Sequence, residues 1–239
     1  MKTQCSVVVM VGLLLSSSGV QAGLIEVKLT PVANAFVDSS EATQNFGDDD
    51  VLRVQGYADD GISSLNAIQR SYLKFALPND IPAGSIQTAV FGIHLKGIYP
   101  GEFGFNDEDP WIDLHYVADD GWTQNALVWD NRPDFEPDAI GEFHNTVDAQ
   151  YYYWDLLSGP GFTWTDFDAD LADGYLSLML KMIPSLESSS NAWAEFYGLD
   201  SPETFVPYLK VSYIPEPATL ALLGIGGLLV RGRKRKTAV

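Results

Sequence analysis

Acidic side chains are the chemistry this sequence offers most freely. Asp48-Asp49-Asp50, Asp59-Asp60, Asp107-Glu108-Asp109 and Asp119-Asp120 stand among turn-forming residues, where loops are expected. Hard oxygen ligands at loop tips are what calcium requires. The loop from Asp38 to Asp50 is therefore the candidate calcium site, with Asp38, Asp48 and Asp50 as its ligands. The other reading of these acids is solvation and turn formation. Asp166-Phe167-Asp168-Ala169-Asp170 opens like an EF-hand loop, but Leu171 occupies the glycine position and Ser177 the place of the bidentate glutamate, so it is not one. Paired carboxylates also serve glycosidases, yet with 32 acids some pair always looks suitable. His94, His115 and His144 are far apart and in no metal-ligand spacing. Neither a Gly-x-Ser-x-Gly elbow nor a His-Glu-x-x-His pair nor a phosphate-cradling glycine loop is present. A lyase would need a base beside a charge neutraliser, and sequence alone does not bring His115 to Arg132. The expectation is a protein that is not an enzyme.

Three other residues have types suited to sugars. Trp122 and Trp129 are seven positions apart. Exposed, their faces would stack on the C–H faces of sugar rings; buried, they would anchor a core with a large apolar area each. Arg132, in Asn131-Arg132-Pro133, would pair with a uronate carboxylate in a bidentate fork, or else pin its loop to a neighbouring aspartate. Pro133 restricts it to extended backbone. Trp122, Trp129 and Arg132 are the candidate carbohydrate-binding residues.

The elements that must position them are strands. Along 86–96 Ala89, Phe91, Ile93 and Leu95 alternate with Thr88, His94 and Lys96, the period of a half-buried strand. Over 71–77 Leu73 and Phe75 point inward, and Tyr72 and Lys74 outward. Further strands are expected over 25–29, 33–37, 51–54, 111–117, 151–156, 175–182, 192–199 and 208–214. Asn45-Phe46-Gly47, Asp59-Asp60-Gly61, Pro82-Ala83-Gly84, Asp119-Asp120-Gly121 and Asp173-Gly174 supply turns between them. Only 165–172 reads as helix. Many short strands without alternating helices predict an all-β, antiparallel, jelly-roll-type β-sandwich in one domain. Phe75, Phe91, Ile93 and Leu95 should be buried, and Lys74 and Lys96 exposed.

The two ends have different chemistry. Residues 1–22 read as a signal peptide: Lys2, an apolar run over 7–15, then Val20-Gln21-Ala22 as a small-residue cleavage site. At the other end Pro215-Glu216-Pro217 leads into an apolar run over 218–230, followed by Arg231, Arg233, Lys234, Arg235 and Lys236. That run is shorter than the about 20 residues of an ordinary span. A short span thins the bilayer or lets its flanking cations snorkel, and the basic stop should stay cytoplasmic. The three-part tail, 215–239, resembles the PEP-CTERM sorting signal of Gram-negative bacteria that carry an exosortase. The resemblance implies export, membrane anchorage through the tail before processing, and an exosortase-type enzyme as partner. Without both ends, 23–214 keeps eight of 14 basic residues and 31 of 32 acids, a formal charge of −23. Such a domain is a poor match for nucleic acid, and none is expected as a partner. It also has no cysteine, since Cys5 leaves with the signal.

Four stretches of the body resemble the DNRLRE, or disaggregatase-related, domains. They are Ala33-Asn34-Ala35-Phe36-Val37 with Leu52-Arg53-Val54; Arg70-Ser71-Tyr72-Leu73-Lys74-Phe75 with Ile81-Pro82-Ala83-Gly84; Trp122-Thr123 with Trp129-Asp130-Asn131-Arg132-Pro133; and Phe196-Tyr197 with Pro207-Tyr208-Leu209-Lys210-Val211. The resemblance implies a β-sandwich of secreted and cell-surface proteins, whose relatives bind polysaccharides including uronic acid polymers. The expectation is an exported, sorted surface or extracellular-matrix protein whose sandwich binds extracellular polysaccharide without cleaving it. The alternatives are a purely structural surface protein and a polysaccharide-degrading enzyme. Arg53, Arg70, Lys74, Lys96 and Arg132 lie in or near the four stretches. If the sheet gathers some of them beside Trp122 or Trp129, an acidic sugar can be held despite the overall charge.

Overall fold

The computed structural model describes residues 23–57, 67–99, 110–144, 149–190 and 192–215. The signal peptide, the turn at Asp59-Asp60-Gly61, the acids Asp107-Glu108-Asp109 and the tail from Glu216, including Pro217 and the basic stop, lie outside them. Strands dominate: β1 Ile25–Leu29, β2 Pro31–Asp38, β3 Val51–Gln55, β4 Gln69–Ala76, β5 Ile86–Tyr99, β6 Trp111–Val117, β7 Gly141–His144, β8 Tyr151–Asp155, β9 Tyr175–Met182, β10 Trp193–Tyr197 and β11 Tyr208–Tyr213. Helices are α1, Trp164–Asp173, and the single turn α2, Pro184–Glu187. The short β7 is absent from the sequence reading because four residues carry too little alternation to register. Among the described residues no helix is long and apolar enough to cross a membrane.

Every strand pairing is antiparallel. The path runs β1-β11-β5-β10-β3-β4-β9-β6-β7, with β2 added on β4 and β8 on β5. β5, 14 residues long, belongs to both layers of this curled sandwich. Its first part pairs with β11 and β8, and its last part with β10. Between the layers lies the main core. Alternate residues fill it: Leu73 and Phe75 from β4, Phe91, Ile93 and Leu95 from β5, Leu178 and Leu180 from β9. Each such side chain contributes about 1.5–3 kcal/mol on leaving water. The Phe75 and Phe91 rings meet edge to face at 6.0 Å.

α1 closes one end. Thr163 caps it reciprocally with Asp166: Thr163 N–H donates to Asp166 Oδ2 at 2.8 Å, and Asp166 N–H to Thr163 Oγ1 at 3.3 Å. Gly174 ends it with φ of 92°, the left-handed conformation that suits glycine, and the chain turns straight into β9. The stretch that begins like an EF-hand loop is thus helix.

The expected exposure of Lys74 is corrected by the structure. Lys74 is only 8% exposed, and Tyr72 beside it is fully buried. The reason is the long segment between β6 and β7, which folds back over the outer face of β4, β9 and β6. It brings Trp122 and Leu127 down onto Ala35, Val37, Tyr72, Val117 and Met179, forming a second apolar cluster. Lys74 Nζ compensates for burial by donating to the carbonyls of Asp120, at 2.6 Å, and Trp122. The alternation of β4 correctly separates its two faces; both are covered. Lys96 is exposed as expected.

Candidate functional site

The covering segment carries all three residues singled out for sugar, and the structure separates their roles. Trp122 is 7% exposed: its indole N–H donates to Ser177 Oγ at 3.1 Å, and it meets Tyr72 edge to face at 6.1 Å. It is a core anchor whose edge lines a surface hollow of about 300 Å³ with Asp119, Thr123, Asn131 and Pro133. Trp129 is half-buried on the rim of the second cluster. It sits in a short 3₁₀ turn, Trp129–Asn131. The Asn131 side chain holds this turn: its Oδ1 accepts from Val128 N–H and its amide donates to the Ala126 carbonyl, both at 2.8 Å.

Arg132 and Trp129 form one unit. The guanidinium lies 3.8 Å from the centre of the indole ring and donates to the Trp129 carbonyl. Among the described residues it makes no ion pair. A second guanidinium, Arg70 from β4, lies 5.3 Å from the same ring and 5.2 Å from Phe135. Burial and the Arg70 charge both lower the Arg132 pKa. Arg70 is held by Glu187 of α2 at 2.9 Å, and Lys181 of β9 reaches the same carboxylate at 3.2 Å. Beneath them the Tyr72 hydroxyl is buried beside Arg70, its pKa pushed up to about 12 by burial despite the opposing pull of Arg70 and Arg132. Glu187 thus bridges Arg70 and Lys181, and Arg132 joins Arg70 through the Trp129 ring. Sequence spacing does not show Arg70, Lys181, Tyr72 and Phe135 as neighbours of Arg132, because strand pairing brings them there. The usable signal was the density of Trp122, Leu127, Val128, Trp129 and Phe135 in one loop, which marks a segment that must cover something.

The remaining candidates fall elsewhere. Arg53 pairs with Glu195 at 3.1 Å, and Lys96 approaches the same acid at 3.9 Å. Asp38 uses both carboxylate oxygens internally: Oδ1 accepts from Ser40 N–H and Oγ at 2.7 Å, and Oδ2 from Gln69 Nε2 at 2.6 Å. Asp48 and Asp50 are exposed. The structure does not bring these three acids together as a ligand set among the described residues. The histidines stay apart. His94 packs against Phe205, His115 donates from Nδ1 to the Glu136 carbonyl at 2.8 Å, and His144 stacks on Trp111 at 4.5 Å.

On the other layer the outer face is aromatic and open. Tyr151 and Tyr153 of β8 lie nearly parallel at 5.8 Å, and Tyr153 is 59% exposed. Tyr208 lies flat across Gly92, where any Cβ would stand 2.8 Å from its ring, and Lys28 Nζ is 4.0 Å from the ring centre. Gly92 is what lets this ring rest on the backbone.

The class defined by this fold is an all-β sandwich with polar and aromatic surfaces suited to sugars. The family model of carbohydrate-binding module family 96 matches residues 25–158, more than half of the chain, and the chain belongs to that family. The matched span covers β1 to β8 and contains Arg70, Trp122, Trp129 and Arg132. The PEP-CTERM protein-sorting motif matches residues 214–236. No curated protein matches the chain. A carbohydrate-binding module is non-catalytic, and the sorting motif directs the protein to export and the cell surface. Together they make this an exosortase-sorted surface protein with a carbohydrate-binding domain.

Proposed function

We propose that residues 1–22 direct export, 23–214 form the sugar-binding sandwich, and 215–239 anchor the chain until an exosortase-type enzyme processes it. The sandwich then serves at the surface or in the extracellular matrix by holding an acidic polysaccharide without cleaving it. Carboxylate groups of uronate residues are its ligands, taken by Arg132 and Arg70. The observation that carries this reading is the pair of guanidiniums on the Trp129 ring in a region of formal charge −23. Arg132 has N–H donors beyond the one given to the Trp129 carbonyl, and the indole holds the fork in place. An arriving carboxylate finds it pre-oriented and relieves its repulsion from Arg70. Trp129 in this reading organises the arginines, while Trp122 supports the loop from below. The four stretches that resemble disaggregatase-related domains agree with the same assignment, three of them lying inside residues 25–158.

Affinity electrophoresis of the full chain tests it, in gels containing a polyuronate, a neutral glucan or no polymer, alongside an assay for new reducing ends and unsaturated products. Retardation only in the polyuronate gel, weakened by salt and without product, is expected. Retardation lost in no gel by Arg132→Ala, or turnover of any polymer, overturns it. The open face of Tyr151, Tyr153 and Tyr208 favours a second reading, a neutral polysaccharide stacked on rings, in which the glucan gel would retard the protein instead.

A further inference from the structure

Away from that site, three carboxylates converge where α1 meets the start of the covering segment. Asp120 follows β6, and Asp170 and Asp173 share one face of the last turn of α1. One oxygen of each lies within 4.8 Å of the others. Asp170 is 2% exposed. Its Oδ1 accepts from Tyr116 Oη at 2.6 Å, while its Oδ2 is buried and accepts nothing. Asp120 repeats the pattern, with Ser177 Oγ on Oδ1 and a buried, unpartnered Oδ2. Asp173 is exposed, so the group opens to solvent.

Lys74 offsets part of the Asp120 charge, but among the described residues no ion pair reaches Asp120, Asp170 or Asp173. Asp119 and Asp166 add to the negative charge, and the last turn of α1 holds no basic residue. That turn carries the negative end of the helix dipole, where cations are favoured and carboxylates are not. Lys74, the nearest cation, has its ammonium committed to the carbonyls of Asp120 and Trp122. A buried carboxylate oxygen with neither proton donor nor counter-ion is costly. Oxygens bound to one calcium ion at about 2.3–2.6 Å stand no more than about 5 Å apart, the spacing found here.

We propose that Asp120, Asp170 and Asp173 bind a hard divalent cation, calcium in an exported protein, with water completing its shell through the exposed side at Asp173. The two orphaned Oδ2 atoms are the ligands the protein contributes from below. The ion ties α1 to the root of the segment that carries Trp122, Trp129 and Arg132. The geometry is independent of the polysaccharide site.

The test is calorimetric titration of chelator-stripped full chain with calcium, with magnesium in a parallel arm, together with thermal melts in calcium and in sodium at equal ionic strength. Saturable one-to-one calcium binding and a melting rise beyond that in sodium are expected. Asp173→Asn, at an exposed position that leaves the fold intact, should weaken binding at least tenfold, and Asp170→Asn should abolish it. Asp38→Asn should leave it unchanged. The proposal falls if no heat is released, or if Asp170→Asn and Asp173→Asn bind as the parent does. It falls equally if Asp38→Asn removes binding. It also falls if Asp170→Asn melts higher while calcium changes nothing, since the two buried carboxylates would then share a proton.

Discussion

On the outer face of β4, β9 and β6, Tyr72, Lys74 and Met179 lie under a covering segment, whereas on the outer face of β5, β8 and β11 the tyrosine rings lie open. Both faces begin from the same pattern, large side chains on alternate outward positions. The difference comes from the connections. The segment between β6 and β7 carries Trp122, Leu127, Val128, Trp129 and Phe135 and closes over its sheet. On the other layer, Gly92 lets Tyr208 lie down on the sheet itself, and the rings remain the surface. Cations follow the same division. Arg70 and Arg132 are fixed by an indole on the covered face, while Lys28 rests over the open Tyr208 ring. An outward position in a strand therefore predicts a face and leaves its exposure to the loops.

The comparison breaks most visibly at Trp122. On the open face, removing an aromatic ring should cost little, but Trp122 is packed beneath the covering segment. Trp122→Ala should destabilise the fold by about 3–5 kcal/mol, the cost of deleting a large buried aromatic, measured by urea unfolding. A loss below about 1 kcal/mol would mean that the segment does not cover its sheet.

Alkaline pH separates the faces next. Burial raises the Tyr72 pKa from 10.0 to about 12, so its neutral form is favoured in the fold. The sign follows: this contribution is fully present below pH 10 and is lost as pH rises through about 12. That shift corresponds to about 3 kcal/mol at the limit. Urea midpoints should fall across that window, and Tyr72→Phe should flatten the slope. Tyr208 on the open face is also raised to about 12, first by burial. It is only half-buried, so solvent screening makes Tyr208→Phe flatten the slope less. Equal effects of the two would erase the distinction between covered and open rings.

Much of the sandwich was legible because a strand's period states which residues share a face. Phe75, Phe91, Ile93 and Leu95 all lie in the main core as their alternation predicts. The sorting tail was legible because its parts are contiguous. The site was legible only in part. Trp129, Asn131 and Arg132 are sequence neighbours and form one local unit, but Arg70 joins them from β4, and Glu187 links Arg70 to Lys181 of β9, contacts that exist only in the folded sheet. Asp120 and Asp170 each stand in an acidic run the sequence displays, but their meeting is invisible there for the same reason. Asp48 and Asp50 are exposed on their loop, while Asp120 and Asp170, 50 positions apart, meet where α1 reaches the covering segment.

At the arginine pair the comparison turns from stability to binding. Arg132→Ala removes a guanidinium that makes no ion pair among the described residues, so the fold should lose little. Affinity for polyuronate should fall about tenfold, near 1.4 kcal/mol. Arg132→Lys should recover only part of it, because an ammonium cannot reproduce the planar fork on the indole. Affinity electrophoresis reads both variants. Full recovery by lysine would reduce the site to a point charge.

The smallest effect on stability is expected at Tyr153, and it is also the sharpest test of the open face. Tyr153 is 59% exposed, and its ring lies 5.8 Å from that of Tyr151 and 6.4 Å from that of Tyr208. Its ring contributes little area to the fold, so Tyr153→Ala should change unfolding free energy by no more than about 0.5 kcal/mol. If polysaccharide is held by Arg70 and Arg132 alone, retardation in polyuronate should also stay unchanged, and retardation in glucan should be absent before and after. If the variant instead releases the protein from a neutral glucan while its polyuronate binding persists, the sandwich has two sugar surfaces of different chemistry. One would be built from cations that a loop fixes in place, the other from rings that no loop covers.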